Sequence, residues 1–418
     1  MAFQILSLPS VSFLVLSAVG TWLSYAVCKT IWHAVYNLFL SPLCKFPGPK
    51  FAALTKWWEV YHAIKCDRFI VIQKLHEKYG NVIRIGPNEV SIASPKVFHH
   101  IFVTKCSSFL KSDFYTTIQP GLGPKYAGLF NETNHAKSQA ERRDLQPGMA
   151  PARIKLYEKR FDAQLDQLIQ VMKKKQEADL FTLLKFLMLD VIGDLALGQT
   201  FKQLETGEEH QYVIDFNNAF MLIGLVYAHA GLSRVFGYAQ EKVVVFLSKP
   251  MEEKRQSVMS GFLDAKTGAP KPPYTPWYIA LAGHGFLVAG SEASSITLSY
   301  VIWLLIKHPE VQQRLRHELS TLPPHYISTD LALRPYLDAV LRETLRVYPP
   351  APAPMPRVVP AEGFSMEGRD YPPGVCIADS CPTNIMGRAD YFLAIDCHLR
   401  SAIHPSPSQR RLPGSRNV

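Results

Sequence analysis

Paired cysteines are missing from this sequence. Seven cysteines lie scattered at positions 28, 44, 66, 106, 376, 381 and 397 of 418 residues. None forms a CxxC pair or a zinc-ligand spacing, which argues against a disulfide framework and a structural zinc site. A reducing, cytosol-facing location is the default for such a chain. Charge is also scarce. Charged residues make up 19% of the chain, below the roughly one quarter typical of soluble domains. Met1 to Cys28 contains none at all. A basic stripe is absent too. The formal charge is +10, but it is spread over the body, with five Arg against Asp390 and Asp396 in the stretch from Ile385 onward. Nucleic acid is therefore not an expected partner, although a mildly basic face could dock an acidic protein. No internal repeat or long low-complexity tract appears, which excludes a solenoid.

What is present is a large apolar inventory, 47% of the chain, enough for a sizeable core. VSFLVLSAVGTWLSYAVC (11–28), with the residues before it, is long enough to cross a bilayer as a helix. Positive charge follows the run, at Lys29, Lys45, Lys50 and Lys56. The positive-inside rule then leaves the body in the cytosol. The expected organisation is a membrane anchor over 1–30 and an interfacial segment with a Pro-rich hinge over 31–50. A globular body over 51–384 and a tail without fold over 385–418 complete it. SPLCKFPGPKFAAL (41–54) supplies the hinge, because Pro42, Pro47 and Pro49 forbid helix.

Along the body, residues 56–80 have helical period and stop at Gly80. NVIRIGPNEVSIAS (81–94) reads as a hairpin, with Gly86-Pro87-Asn88 between its strands. Residues 153–198 are dominated by helical pattern, and 263–276 form a Pro-rich loop. WYIALAGHGFLVAGSEASSITLSYVIWLLI (277–306) is the longest apolar run of the body and carries one charge, Glu292. Helices follow over 307–319 and 333–350, and 357–380 breaks into short β-prone pieces. The expected fold class is mainly α with small β-sheets, plus an N-terminal transmembrane helix.

Glu343 and Arg346 lie three apart, so on a helix their side chains meet. A Pro-rich strand, VYPPAPAPMPRVVP (347–360), follows at once. ETLRVYPP followed by PRVVP resembles the K-helix signature and next strand of the cytochrome P450 haem-thiolate monooxygenases. KFPGPK (45–50) resembles the hinge of microsomal members, LHEKYGNVIRIGPNEVSI (75–92) the first sheet, and FLMLDVIGDLALGQTF (186–201) a stretch of fungal members. AGSEAS (289–294) resembles the oxygen-activating segment of the long central helix. The likeness runs from about Lys45 to Asn384.

That resemblance implies haem b and electrons from NADPH through a cytochrome P450 reductase. It implies an apolar small-molecule substrate oxidised with O2 in fungal secondary metabolism, and an endoplasmic reticulum membrane with a single-pass anchor. By resemblance Glu292 is the acid that passes protons, with Gly290 leaving room for a small molecule. Ala293 stands where the family has Thr, and Ser294 follows it as the candidate hydroxyl. Arg357 resembles the strand arginine that pairs with a haem propionate, a task suited to bidentate guanidinium–carboxylate geometry. Arg142 and Arg143 resemble the propionate arginines at a helix end, with His135 upstream. Glu343 and Arg346 form the structural pair.

The family's Phe-x-x-Gly-x-Arg-x-Cys-x-Gly loop, whose cysteine ligates the iron, is not found. Cys376, Cys381 and Cys397 lack its surroundings, and no metal ligand is assigned. The stretch from Ile385 resembles no segment of the family, so the expected fold lacks the ligand loop and final helix, through truncation or a shift of reading frame near Asn384. Three readings stand: a monooxygenase of this family, a catalytically inactive product without the axial Cys, and a multi-pass membrane protein spanning at 11–28 and 277–306.

Overall fold

The computed structural model describes residues 11–104, 108–117, 128–175, 177–223, 229–351 and 355–379. The expectations for Cys106, Cys381, Cys397 and the stretch from Ile385 lie outside them. The chain forms two compact units. One takes the chain up to Phe109 together with Pro354–Ser380; the other begins at Leu110 and runs to Ala353.

In the first unit, helix α1 (Val11–Val35) continues through a π-turn, Tyr36–Leu40, to Ser41. The Ser41 hydroxyl accepts from the Leu43 amide at 3.2 Å and caps a short 3-10 turn, Pro42–Lys45. The Pro-Gly-Pro segment then lies directly on a strand. A side chain on Gly48 would run into the Arg84 carbonyl, and the Arg84 amide donates to the Pro47 carbonyl at 2.7 Å. The Arg84 side chain is 3% exposed. Its guanidinium donates to the carbonyls of Asn37 (2.6 Å), Gly86 (3.1 Å) and Pro87 (2.7 Å).

The single helix expected over 56–80 is two helices, α2 (Trp57–Ile64) and α3 (Arg68–Tyr79). Cys66 adopts a left-handed φ of 53° between them, a conformation an α-helix cannot continue through. His62 Nδ1 and Asp67 Oδ1, 2.6 Å apart, clasp the break. The expected hairpin is present as β1 (Val82–Gly86) and β2 (Glu89–Ile92), with Val82 opposite Ile92 and an irregularity between Arg84 and Gly86. Strand β3 (Arg357–Val358) and hairpin β4 (Phe364–Met366) and β5 (Arg369–Tyr371) precede β6 (Cys376–Asp379). The β4–β5 turn has positive φ at Glu367 (53°) and Gly368 (71°), as a tight primed turn requires. Strand β6 runs parallel to β2 and antiparallel to β3. Ile83, Ile85 and Ala378 pack toward Trp58 and Ile72 on one face. Val82, Val90, Ile92 and Ile377 pack toward Phe46 and Tyr371 on the other. Complete burial of each valine, isoleucine or phenylalanine among them stabilises by about 1.5–3 kcal/mol.

The second unit is helical. Its main helices are α4 (His135–Leu145), α5 (Pro151–Lys174), α6 (Leu180–Leu197), α7 (Gln211–Ile223), α8 (His229–Ser248), α9 (Pro276–Lys307), α10 (Pro309–Leu319) and α11 (Pro335–Val347). Asp179 caps the start of α6, accepting from the Phe181 amide at 3.0 Å, and Gly198 ends it at φ 65°. Helix α6 is apolar on nearly all sides, as a helix buried in a core must be. Thr275 caps α9, with Pro276 at its first position. Helix α9 is long and apolar enough, by length and composition, to cross a membrane. It lies against α6 and α8 and buries Ile279, Leu281, Leu287, Val301 and Leu304. Glu318 on α10 caps α11, its two carboxylate oxygens accepting from the Tyr336 (3.0 Å) and Leu337 (2.9 Å) amides. The mainly helical fold with small sheets is therefore as expected.

Candidate functional site

Helix α9 is built asymmetrically. Gly285 and Ala289, one helical turn apart, are exposed, and a methyl on Gly285 would meet nothing within 4 Å. Ile296 continues this line half-buried. The opposite side is packed. A methyl on Gly290 would come within 2.6 Å of the Ile192 side chain on α6. The expectation that Gly290 leaves room for a small molecule is therefore corrected. Its missing side chain admits Ile192, and the open strip runs along Gly285 and Ala289 instead.

This contrast is testable by urea unfolding. Gly285→Ala is expected to stabilise by about 0.5–1 kcal/mol, because alanine favours helix and the site is open. Gly290→Val is expected to destabilise by about 1–3 kcal/mol through overpacking against Ile192.

Glu292 lies beside the open strip, two turns after Gly285. Its carboxylate Oε1 is 3.7 Å from Lys185 Nζ on α6, and the same ammonium is 3.7 Å from Glu209. One lysine thus serves two carboxylates. Lys185 was not anticipated, although a lone lysine inside LFTLLKFLMLD (180–190) is itself a signal. Ser294 lies about 180° around the helix from Gly285 at about 100° per residue, away from the open strip. The neighbouring hydroxyls are spent on their own helix: Ser291 donates to Leu287 (2.6 Å), Ser295 to Glu292 (3.1 Å) and Thr297 to Ala293 (2.8 Å).

His284 was also unanticipated. Its Nδ1 lies 2.7 Å from the Tyr212 hydroxyl on α7. Burial lowers its pKa to about 4 and pushes the Tyr212 phenol up. A neutral imidazole and a protonated phenol therefore meet inside the helical core.

Glu343 and Arg346 form the expected pair on α11. Arg346 Nε donates to Glu343 Oε2 at 2.7 Å and Nη2 to Oε1 at 2.5 Å. The carboxylate side chain is 8% exposed and the guanidinium 30%.

The three arginines expected at a cofactor fall in different units. Arg142 and Arg143 are exposed on the last turn of α4, whose buried residues are Ser138, Glu141 and Leu145. Arg357 is on β3, its guanidinium 5.0 Å from the Phe102 ring centre and donating to the Pro356 carbonyl at 3.2 Å. Cys28, Cys44 and Cys66 are exposed, whereas Cys376 sits in a strand paired on both sides. Among the described residues no group of His, Cys, Asp and Glu is placed to hold a metal ion.

The family model for cytochrome P450 matches residues 51–378. The chain is 30% identical over 376 residues to cytochrome P450 monooxygenase tazI of Aspergillus terreus, covering 82% of this chain and 74% of that protein. It is 27% identical to cytochrome P450 monooxygenase notG′ of Aspergillus versicolor, covering 89% and 70%. It is 28% identical to cytochrome P450 monooxygenase AMT3 of Alternaria alternata, covering 81% and 74%. Its fold is similar to the haem domain of cytochrome P450DA, with a TM-score of 0.67 and 17% identity over 81% of this chain and 77% of that one.

Proposed function

The chain belongs to the cytochrome P450 family, and from that premise we propose that its body is built to oxidise an apolar small molecule of the fungal secondary-metabolite class with O2. The observation that carries this reading is the open Gly285–Ala289 strip on α9 with Glu292 held beside it by Lys185. The strip admits an apolar guest against the helix backbone. The tethered carboxylate offers a proton-exchanging group at its margin, the role that the resemblance gives to Glu292. Electrons would come from NADPH through a reductase.

Haem, when bound in this family, supplies oxygen activation at an iron ligated by thiolate. The described residues do not complete such a site. Three of the described cysteines lie exposed in the N-terminal portion, and Cys376 is held in a sheet strand rather than a glycine-rich loop. Arg357 has the chemistry to pair with a propionate, and Arg142 and Arg143 are exposed, but none of them supplies a thiolate.

This mismatch favours a second reading: the chain keeps the family fold and holds no haem. The family match ends at residue 378, and the ligand pattern does not occur in the residues after it. A carbon monoxide difference spectrum of the reduced full chain, expressed with haem precursor, separates the two. A Soret maximum typical of thiolate-ligated haem supports the oxidase reading and sinks the second. A flat spectrum from folded protein does the reverse.

We further propose that α1 anchors the chain in the endoplasmic reticulum membrane, with the body on the cytosolic side. Its 25 residues span about 37 Å at 1.5 Å per residue, and Trp22, Tyr25, Ile31 and Trp32 are exposed along it. The packing of α9 against α6 and α8 favours this single-pass arrangement over a two-span one.

A further inference from the structure

A cavity of about 290 Å³ opens in the helical unit, where the end of α4 meets the short helix Met251–Arg255 and the 3-10 turn Val258–Phe262. Its charge is one-sided. Arg143, Arg153, Lys254, Arg255 and Lys271 line it, against a single acid, Asp144.

The cations are held in place mainly by neutral groups. Lys254 is 7% exposed. Its ammonium donates to the carbonyls of Leu247 (3.1 Å) and Gly268 (3.2 Å). Arg153 donates to the Arg255 carbonyl at 2.7 Å, and Arg255 to the Ala265 carbonyl at 3.0 Å. Asp144 is committed to Lys271 at 2.8 Å and to the Tyr274 hydroxyl. Burial works to raise the Asp144 pKa, but hydrogen bonds from Lys271 and Tyr274 and the charges of Lys271 and Arg143 outweigh it and hold the group below its usual value. Among the described residues no carboxylate is within ion-pair distance of Arg143, Arg153, Lys254 or Arg255. Carbonyls fix the direction of Arg153, Lys254 and Arg255 without cancelling their charge.

The walls are constrained. A side chain on Gly261 would strike the Asp144 carbonyl, and one on Gly148 would come within 2.5 Å of the Val258 carbonyl. The two segments therefore meet backbone to backbone, and the cations cannot easily spread apart. Helix α5 begins beside the cavity with no side-chain cap, so its N-terminal dipole adds to the positive field.

We propose that this cavity is a binding site for a phosphate group carried on a small molecule. A phosphate has the multiple charge and oxygens that a cluster of guanidinium and ammonium donors satisfies. The depth of Lys254 requires a group that enters the cavity, which a carboxylate on a flat protein face does not. The volume is at the small end of ligand pockets, in keeping with a single phosphorylated molecule.

The test titrates the full chain in detergent micelles with inorganic pyrophosphate, replacing sodium chloride at constant ionic strength. Saturable binding is expected. Arg143→Gln and Arg153→Gln should each weaken it by about tenfold or more, the loss of one charge-assisted contact. Arg142→Gln removes the same charge from the next position, which does not line the cavity, and should leave binding within about twofold, since exposed charges outside the site are screened. Phosphatidylcholine vesicles with and without phosphatidylinositol 4-phosphate identify the source. Phosphoinositide-dependent binding that pyrophosphate displaces assigns the phosphate to a lipid headgroup; pyrophosphate binding without vesicle binding assigns it to a soluble metabolite. No saturable binding of pyrophosphate at constant ionic strength, or equal weakening in the Arg142→Gln and Arg143→Gln variants, overturns the proposal.

Discussion

Arg346→Ala is expected to cost about 3–5 kcal/mol of stability, and more than Glu343→Ala, because it strands a buried carboxylate. The two partners differ in access to water. Glu343 is 8% exposed and Arg346 is 30% exposed. Without Arg346 the carboxylate loses both of its guanidinium bonds in a place water barely reaches. Without Glu343 the guanidinium can turn its exposed side outward, and a loss of about 1–3 kcal/mol follows, the cost of an unmet hydrogen-bonding group. The double substitution Glu343→Met/Arg346→Leu should recover much of the loss by removing both charges. Urea unfolding of the four proteins decides this. Equal losses from the two single changes would show that the pair's burial is not the governing factor.

Acid should destabilise the helical unit through His284. Burial lowers its pKa in the folded chain to about 4, against about 6.5 for an exposed histidine. The neutral ring is thus favoured by the fold. Stability from this group is complete above the unfolded value, falls as pH drops from about 6.5 and levels off below the folded value. The accumulated loss is on the order of 3 kcal/mol by pH 4. Other groups act in the same window. Burial lowers His76 and His210, which add to the loss. Burial raises Glu89, Glu141 and Asp190, whose protonation offsets it. The difference between the native chain and His284→Gln isolates the one group. Stability measured from pH 7.5 to 4 should fall more steeply in the native chain; parallel curves would remove His284 as the cause.

The parts of the site that were legible in the sequence are those set by local spacing. The Glu343–Arg346 pair follows from a three-residue interval on a helix that Pro335 starts and Pro349 stops. The β1–β2 hairpin follows from Gly86-Pro87-Asn88 between alternating apolar residues. The extent of α9 follows from an uninterrupted apolar run after Thr275-Pro276. What was not legible depends on partners distant in the chain. A glycine at 290 announces that space is needed, but not that Ile192 fills it. Glu292 announces a costly charge, but its cation comes from Lys185 on another helix. Arg142 and Arg143 match a family pattern by neighbourhood, yet α4 has too weak an apolar face for the sequence to say which way they point. The cavity beside Arg143 is assembled from segments more than a hundred residues apart, each unremarkable alone.

Arg84 also bears on the mechanics of the N-terminal segment. Its guanidinium ties Asn37, just beyond α1, to Gly86 and Pro87 at the tip of the hairpin, while Gly48 lies flush on the same strand. Pro-Gly-Pro would by itself suggest a swivel. With one buried arginine bolted across it, the joint becomes a bracket, and torque applied to α1 passes into the β-sheet instead of being lost in the linker. Whatever surroundings hold α1 therefore set the heading of the sheet. Arg84→Ala should turn the bracket back into a swivel.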